Sequence, residues 1–193
     1  LLDILKYTTQ NLEEIAKNLE ETGYIQNIFA MFLLAQFREK RTYPLLVEFF
    51  SIPGRLIFYV TGNVITEELC RILASVSCGD VRPLSSLIEN PKINEYVRSA
   101  ALDAFLVLMF SGEISREEVV KYFQYLFYEG LEKKPSNIWN ALALCSTKIY
   151  PEEFYEEIKK AYKENLIEPS YIEIEEVEEA LKEGKEKRLS ISK

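Results

Sequence analysis

One stretch, residues 94–110 (NEYVRSAALDAFLVLMF), limits the folds open to this chain more than any other. At 3.6 residues per turn its apolar side chains cover most of a helix circumference, so no face is left for water. Such a helix has to be sandwiched by others. Ala100, Ala101 and Ala104 sit where neighbouring helices come close. The stretch predicts a helix over 94–111, stopped by Gly112, in the middle of a stacked array of helix pairs.

The remaining text is punctuated for helices. Only seven glycines occur, no Asn-Gly or Asp-Gly hairpin signal exists, and strict alternation of apolar and polar residues is never sustained. Residues 1–7 read as the end of a helix. Asn11 is placed to cap a helix over 12–21, which Gly23 stops. A helix over 25–38 is apolar nearly all round. Pro44 opens 45–50, because proline fits a first turn where its missing N–H is not needed. Pro53-Gly54 breaks the chain before a short apolar piece, 56–60. Thr66, followed by Glu67 and Glu68, is placed to cap 66–77, and Pro83 opens a helix to 89. Ser115-Arg-Glu-Glu118 spells a capping box for a helix to 129. Helices over 136–147 and 151–165 follow, then an acidic helix over 173–183 stopped by Gly184. A polar tail over 185–193 is expected to fray.

These elements repeat. The text around Pro44 aligns with that around Pro83, Arg116 and Pro151, at separations of 39, 33 and 35 residues. Each unit is a long apolar helix, a tight turn, and a second helix opened by proline or a capped Arg-Glu-Glu. The expectation is one all-α domain over 1–193: an α-solenoid of HEAT- or armadillo-like helix pairs wound into a right-handed superhelix. The pairs fall near 25–52, 66–89, 94–130 and 136–165, with the acidic helix near 173–184 as terminal cap. YVRSAALDAF, residues 96–105, resembles the Val-Arg-x-x-Ala-Ala-x-x-Ala-Leu signature of HEAT-like repeats. Physically, the alanines let helices stack closely, and Arg98 can hydrogen-bond a carbonyl or carboxylate in an adjacent turn.

Several motifs in the same order resemble the DUF1186 family of uncharacterised bacterial proteins. They are LLAQFREK (33–40), TEELCRILASV (66–76), RSAAL (98–102), ISREE (114–118), PSNIWNAL (135–142) and YPEE (150–153). The resemblance implies a HEAT-like helical array and no established activity. Some family members carry a C-terminal cysteine-rich SEC-C segment that binds zinc. No such cysteines occur up to Lys193, so that metal site is not carried over.

The chemistry on offer is narrow. There is no histidine, which removes the usual general base, the Ser-His and Cys-His nucleophile pairs, and the commonest zinc ligand. Cys70 and Cys78 are too far apart for a CxxC clamp. An odd total of three, with Cys145, reads as structural free thiols in a reducing compartment. No glycine-rich phosphate loop occurs. The pairs Glu67/Glu68, Glu117/Glu118 and Glu152/Glu153 each fall where a helix is expected to begin, where negative charge offsets the helix dipole. A net charge of −8 disfavours phosphate backbones and anionic membranes. With no run of 18 apolar residues and no signal peptide, the expectation is a cytoplasmic protein off the membrane. The chain opens at Leu1 without an initiator Met and reads as starting within a longer native chain.

What remains is surface. On the helix after Ser115, Val119, Phe123, Leu126 and Phe127 form a core stripe, leaving Lys121, Tyr125, Tyr128 and Glu132 on the other side. Tyr155 and Tyr162 stand in the same relation to Phe154, Ile158 and Ala161. Second helices of HEAT-type arrays line the concave face, and exposed tyrosine suits partner contact. Tyr125, Tyr128, Tyr155 and Tyr162, with Arg38 in the basic turn 38–41, are therefore the candidate interaction residues. Packing on neighbouring helices or on the chain's own tail is the competing reading for the tyrosines, and a solvated turn that for Arg38; Trp139 reads as a core or interface anchor, with partner contact as its alternative. The function expected is non-catalytic: a scaffold for a protein or peptide of unknown identity, needing no cofactor. A nucleic-acid-binding array is the alternative, then a carboxylate-dependent enzyme. The sequence does not set the oligomeric state.

Overall fold

The computed structural model describes residues 1–191, and among these every regular element is a helix. Contacts divide the chain into two compact units, Leu1–Ala104 and Phe105–Lys193, the division falling inside the long apolar helix.

The first unit holds α1 (Leu2–Gln10), α2 (Leu12–Lys17), α3 (Leu19–Thr22), α4 (Gln26–Gln36), α5 (Thr42–Phe50), α6 (Leu56–Thr61), α7 (Val64–Glu67), α8 (Leu69–Ser77) and α9 (Arg82–Glu89). Like packs on like. The α4–α5 pair lies beside the α8–α9 pair, with α4 against α8 and α5 against α9, while α1 covers α4 and α5. Leu46, Phe50, Ile57, Leu69, Leu73 and Leu84 are wholly enclosed. The Tyr43 hydroxyl donates to the Asp80 carbonyl at 2.8 Å, tying the start of α5 to the turn before α9.

The helix that crosses the division is α10 (Glu95–Phe110). Val97, Ala101, Leu102, Ala104, Phe105, Leu106 and Leu108 are buried, as its composition demands. Arg98 is buried too, at 2% exposure, and its Nε donates to the Ile88 carbonyl at 2.7 Å. That bond closes an otherwise open α9 terminus.

The second unit continues with α11 (Arg116–Tyr125), a π-helical turn (Leu126–Gly130), α12 (Asn137–Lys148), a 3₁₀ turn (Pro151–Phe154), α13 (Tyr155–Lys163), α14 (Ile174–Glu183) and α15 (Lys185–Ile191). α12 is buried nearly all round, and α14 packs on it and on the 3₁₀ turn. Phe127 links Trp139 and Phe154 with ring centroids 6.1 Å apart in each case, and Phe123 joins at 6.3 Å from Phe154. Arg116, at the start of α11, makes a similar tie to the turn after α12: it donates to the Ile149 carbonyl at 2.9 Å and the Tyr150 carbonyl at 3.1 Å.

Several helix boundaries differ from those expected. Thr66 caps nothing: burial of Val64 and Ile65 starts the helix earlier, and the Thr66 hydroxyl donates back to the Asn63 carbonyl. Glu67 therefore ends α7, and Glu68 breaks the helix before α8. Asn11 turns its amide to the Tyr7 carbonyl instead of capping α2, and the helix expected over 12–21 is broken at Asn18. Pro44 lies in the first turn of a helix that already begins at Thr42, and Pro151 opens a 3₁₀ turn. The tail is helical over Lys185–Ile191, because Arg188 bonds both the Thr147 carbonyl and Glu183. Ser192 and Lys193, the last of the expected frayed tail, lie outside the described residues.

Candidate interaction surface

α11 starts where the capping box predicted. Ser115 and Glu118 exchange backbone and side-chain bonds of 2.9 and 3.2 Å, and these hold the Glu118 carboxyl below its usual range. From that fixed start, Val119, Phe123, Leu126 and Phe127 reach the core. The helix then widens into its π turn, a local change of pitch that often marks functional positions. Tyr128 emerges from this turn at 79% exposure. Tyr125 is held more closely. Its ring stacks on Tyr122 at 6.1 Å, and Tyr122 stacks on Phe105 at 4.7 Å. Gly130 makes room for it, since a Cβ there would lie 2.7 Å from the Tyr125 ring.

Beside Tyr128 opens a cavity of about 280 Å³, lined by Phe127, Lys133, Trp139, Glu156, Lys160 and Leu166 among others. Trp139 is an anchor: it is 1% exposed and its indole Nε1 donates to the Glu132 carbonyl at 3.0 Å. Lys133 donates to the Phe127 carbonyl at 2.8 Å, and its ammonium stands 4.6 Å from the Trp139 ring centroid. Desolvation pushes the Lys133 pKa down, with Lys160 adding to the fall and Glu164 opposing it. The lining thus presents an apolar floor, one oriented cation, and glutamates at the rim.

The other candidates have different surroundings. Tyr155 donates to Glu178 of α14 at 2.8 Å; that bond raises its pKa, and the Lys159 ammonium lies 4.8 Å from its ring centre. Tyr162 donates to the Ile172 carbonyl, and burial pushes its pKa up to about 12. Both hydroxyls are thus spent on the acidic cap helix and its approach. Tyr162 also lines a second hollow of about 360 Å³ with Lys159, Lys163, Pro169 and Ile174. Arg38 lies in the first unit. It ends α4 at φ 51° in a Schellman turn, with Glu39 N–H bonded to the Leu34 carbonyl. Tyr125 and Tyr128 share one helical segment, Tyr155 and Tyr162 another, and Arg38 serves a helix end.

Among the described residues no group of three or more Cys, Asp or Glu could hold a metal ion. Cys78 is exposed, Cys145 is buried, and burial raises the Cys70 thiol pKa. Glu153 is engaged by Arg116 through two bonds of 2.7 Å, and Glu117 and Glu118 occupy the first turn of α11. The π turn and the Lys133–Trp139 cavity escaped sequence reasoning. Gly130 after a tyrosine-rich run is the one signal that could have pointed to them.

The chain belongs to DUF1186, a family of proteins of unknown function, whose pattern it matches over residues 1–193. It is similar to an uncharacterized protein of Chlamydia trachomatis, with 38% identity over 180 residues, covering 93% of this chain and 71% of the relative. A Chlamydia muridarum relative, also uncharacterized, is 37% identical over 180 residues, covering 93% and 72% respectively. No solved structure matches the chain. No helix among the described residues is long and apolar enough to cross a membrane.

Proposed function

We propose that this member of the DUF1186 family is a non-catalytic interaction module, a HEAT-like array that holds a protein or peptide against its second helices. The single observation behind it is Tyr128: a tyrosine 79% exposed on a π turn, at the rim of a cavity floored by Trp139. Exposed aromatics over an apolar floor are what interface anchors use. The ligand that fits is a peptide segment placing one apolar side chain over the indole, with polar neighbours meeting Lys133 and Glu156. The side-by-side stacking of α4–α5 and α8–α9 supports the repeat architecture. Glutamates interleave the lysines of α13 (Glu156, Glu157, Lys159, Lys160), which favours a protein partner over a nucleic acid. The odd cysteine count favours a reducing compartment such as the cytoplasm.

The test is affinity capture from native lysate with wild type and Tyr128→Ala, checking both for identical circular dichroism and melting. Specific partners lost or depleted at least about tenfold with the variant support the surface. An unchanged partner set discards it.

A further inference from the structure

α4 is apolar on two sides, and only one is used. Asn27, Ala30, Met31, Leu34 and Ala35 are buried, and Asn27 donates to the Val60 carbonyl at 3.1 Å, fixing the helix rotation. The opposite side leaves Ile25 50%, Phe29 60%, Phe32 40%, Leu33 39% and Phe37 67% exposed. Gln26 and Gln36 complete that side, so it carries no charge at all. Ile25, Phe29, Leu33 and Phe37 form a single i, i+4 ridge, the row of side chains that most often packs into a facing helix. At about 200 Å² per large side chain, these exposures leave roughly 500 Å² of apolar surface open on one helix.

We propose that this face pairs with the same face of a second copy of the chain, the two α4 helices antiparallel about a two-fold axis. Roughly 1,000 Å² buried in total from these residues alone exceeds the ~800 Å² that bounds most casual contacts, and the flanks add to it. A two-fold apposition sets Ile25 against Phe37 and Phe29 against Leu33 of the second copy. Beyond the ridge, the same antiparallel arrangement brings the approach to each α4 near the exit from the other. The approach to α4 carries Glu20 and Glu21, and its exit carries Arg38, Lys40 and Arg41 against a single acid, Glu39, which Arg41 already pairs. Each acidic end thus meets a basic end. Copies bearing −8 repel elsewhere, and the uncharged ridge is where they can touch without like charges facing.

Sedimentation equilibrium on the whole chain tests this. The expected mass rises with concentration from 22.5 kDa toward twice that value. Phe29→Glu/Phe37→Glu should hold it at 22.5 kDa with circular dichroism unchanged, since both positions face water. Glu21→Lys and Lys40→Glu, each alone, should weaken association at least about threefold, and mixing the two variants should restore it. In the mixed pair the two altered ends meet each other, and the two unaltered ends, acidic and basic, meet each other. A monomer at every concentration, its ridge then covered by another protein, a lipid surface or further chain, overturns the proposal. So does a dimer indifferent to Phe29→Glu/Phe37→Glu, or a mixture no tighter than the single variants.

Discussion

α4 and α10 are written in the same language and end in different places. Both are apolar nearly all round, and both close with the same hydrogen-bond motif, Glu39 N–H to the Leu34 carbonyl and Glu113 N–H to the Leu108 carbonyl. Yet α10 is enclosed beyond Tyr96 in its first turn, while α4 leaves three phenylalanines in water. The difference lies in side-chain size. α10 interleaves Ala100, Ala101 and Ala104 among its large residues, so other helices can approach from more than one side. α4 sets Phe29, Phe32 and Phe37 on one side and its alanines, Ala30 and Ala35, on the other. Small residues admit neighbours, and α4 is covered only on its alanine side. Hydrophobicity therefore says that a surface seeks cover, and the pattern of small residues says which side the chain itself covers.

The sharpest break of this comparison is a matched truncation. Leu102→Ala, at a wholly buried site, should cost about 3 kcal/mol in urea unfolding. Leu33→Ala, 39% exposed, should stay within about 0.5 kcal/mol in dilute solution. Equal costs would mean the α4 face is covered after all. Next come the helix ends. Gly112 sits at φ 77° and Arg38 at φ 51°, the same left-handed position filled by the suited residue and by an unsuited one. Gly112→Ala should lose about 1 kcal/mol, and Arg38→Gly should gain somewhat less, read as opposite shifts of the urea midpoint.

The turns that follow the two helices give the smallest effect. After α10, Arg116 is mostly buried and holds the Glu153 carboxyl below its ordinary value, with Lys185 helping. A carboxylate whose pKa is lowered on folding adds stability above its unfolded pKa and loses it as pH falls through the folded one. Glu153→Gln should therefore cost about 0.5 kcal/mol at neutral pH, and the gap to wild type should close below the ordinary value of 4.5. After α4, Glu39 is held down to about 2 by an Arg41 that lies in solvent. Glu39→Gln should change stability less than Glu153→Gln at every pH, because water screens that pair. A larger effect at Glu39 would reverse the ranking of the two turns.

Much of the fold was legible because its signals are local. The Ser115–Glu118 box, the left-handed stops at Gly23 and Gly112, and the core stripe from Val119 to Phe127 depend on residues within two turns of one another. The acidic helix announced its buried side through Ile172, Val177 and Ala180 in the same way. Thr66 and Asn11 misled because a capping side chain is only an option. Burial of Val64 and Ile65 outweighed the cap, worth about 1 kcal/mol. The candidate tyrosines were legible as one face of a helix and no further. That Tyr155 and Tyr162 spend their hydroxyls on Glu178 and Ile172 depends on where α14 folds back, 23 and 10 residues on.

By itself the sequence determined the class of structure: helices, their approximate order, the turns between them, and the helix too apolar to be exposed. Periodicity and capping are short-range chemistry, and they survive without knowledge of the neighbours. Only the tertiary structure decided which apolar side went uncovered on α4, which tyrosine stood free of the chain's own cap, and where a cavity opened over Trp139. Those outcomes depend on the volumes of side chains far apart in sequence. Packing resolves them by filling space, and no local pattern records the result.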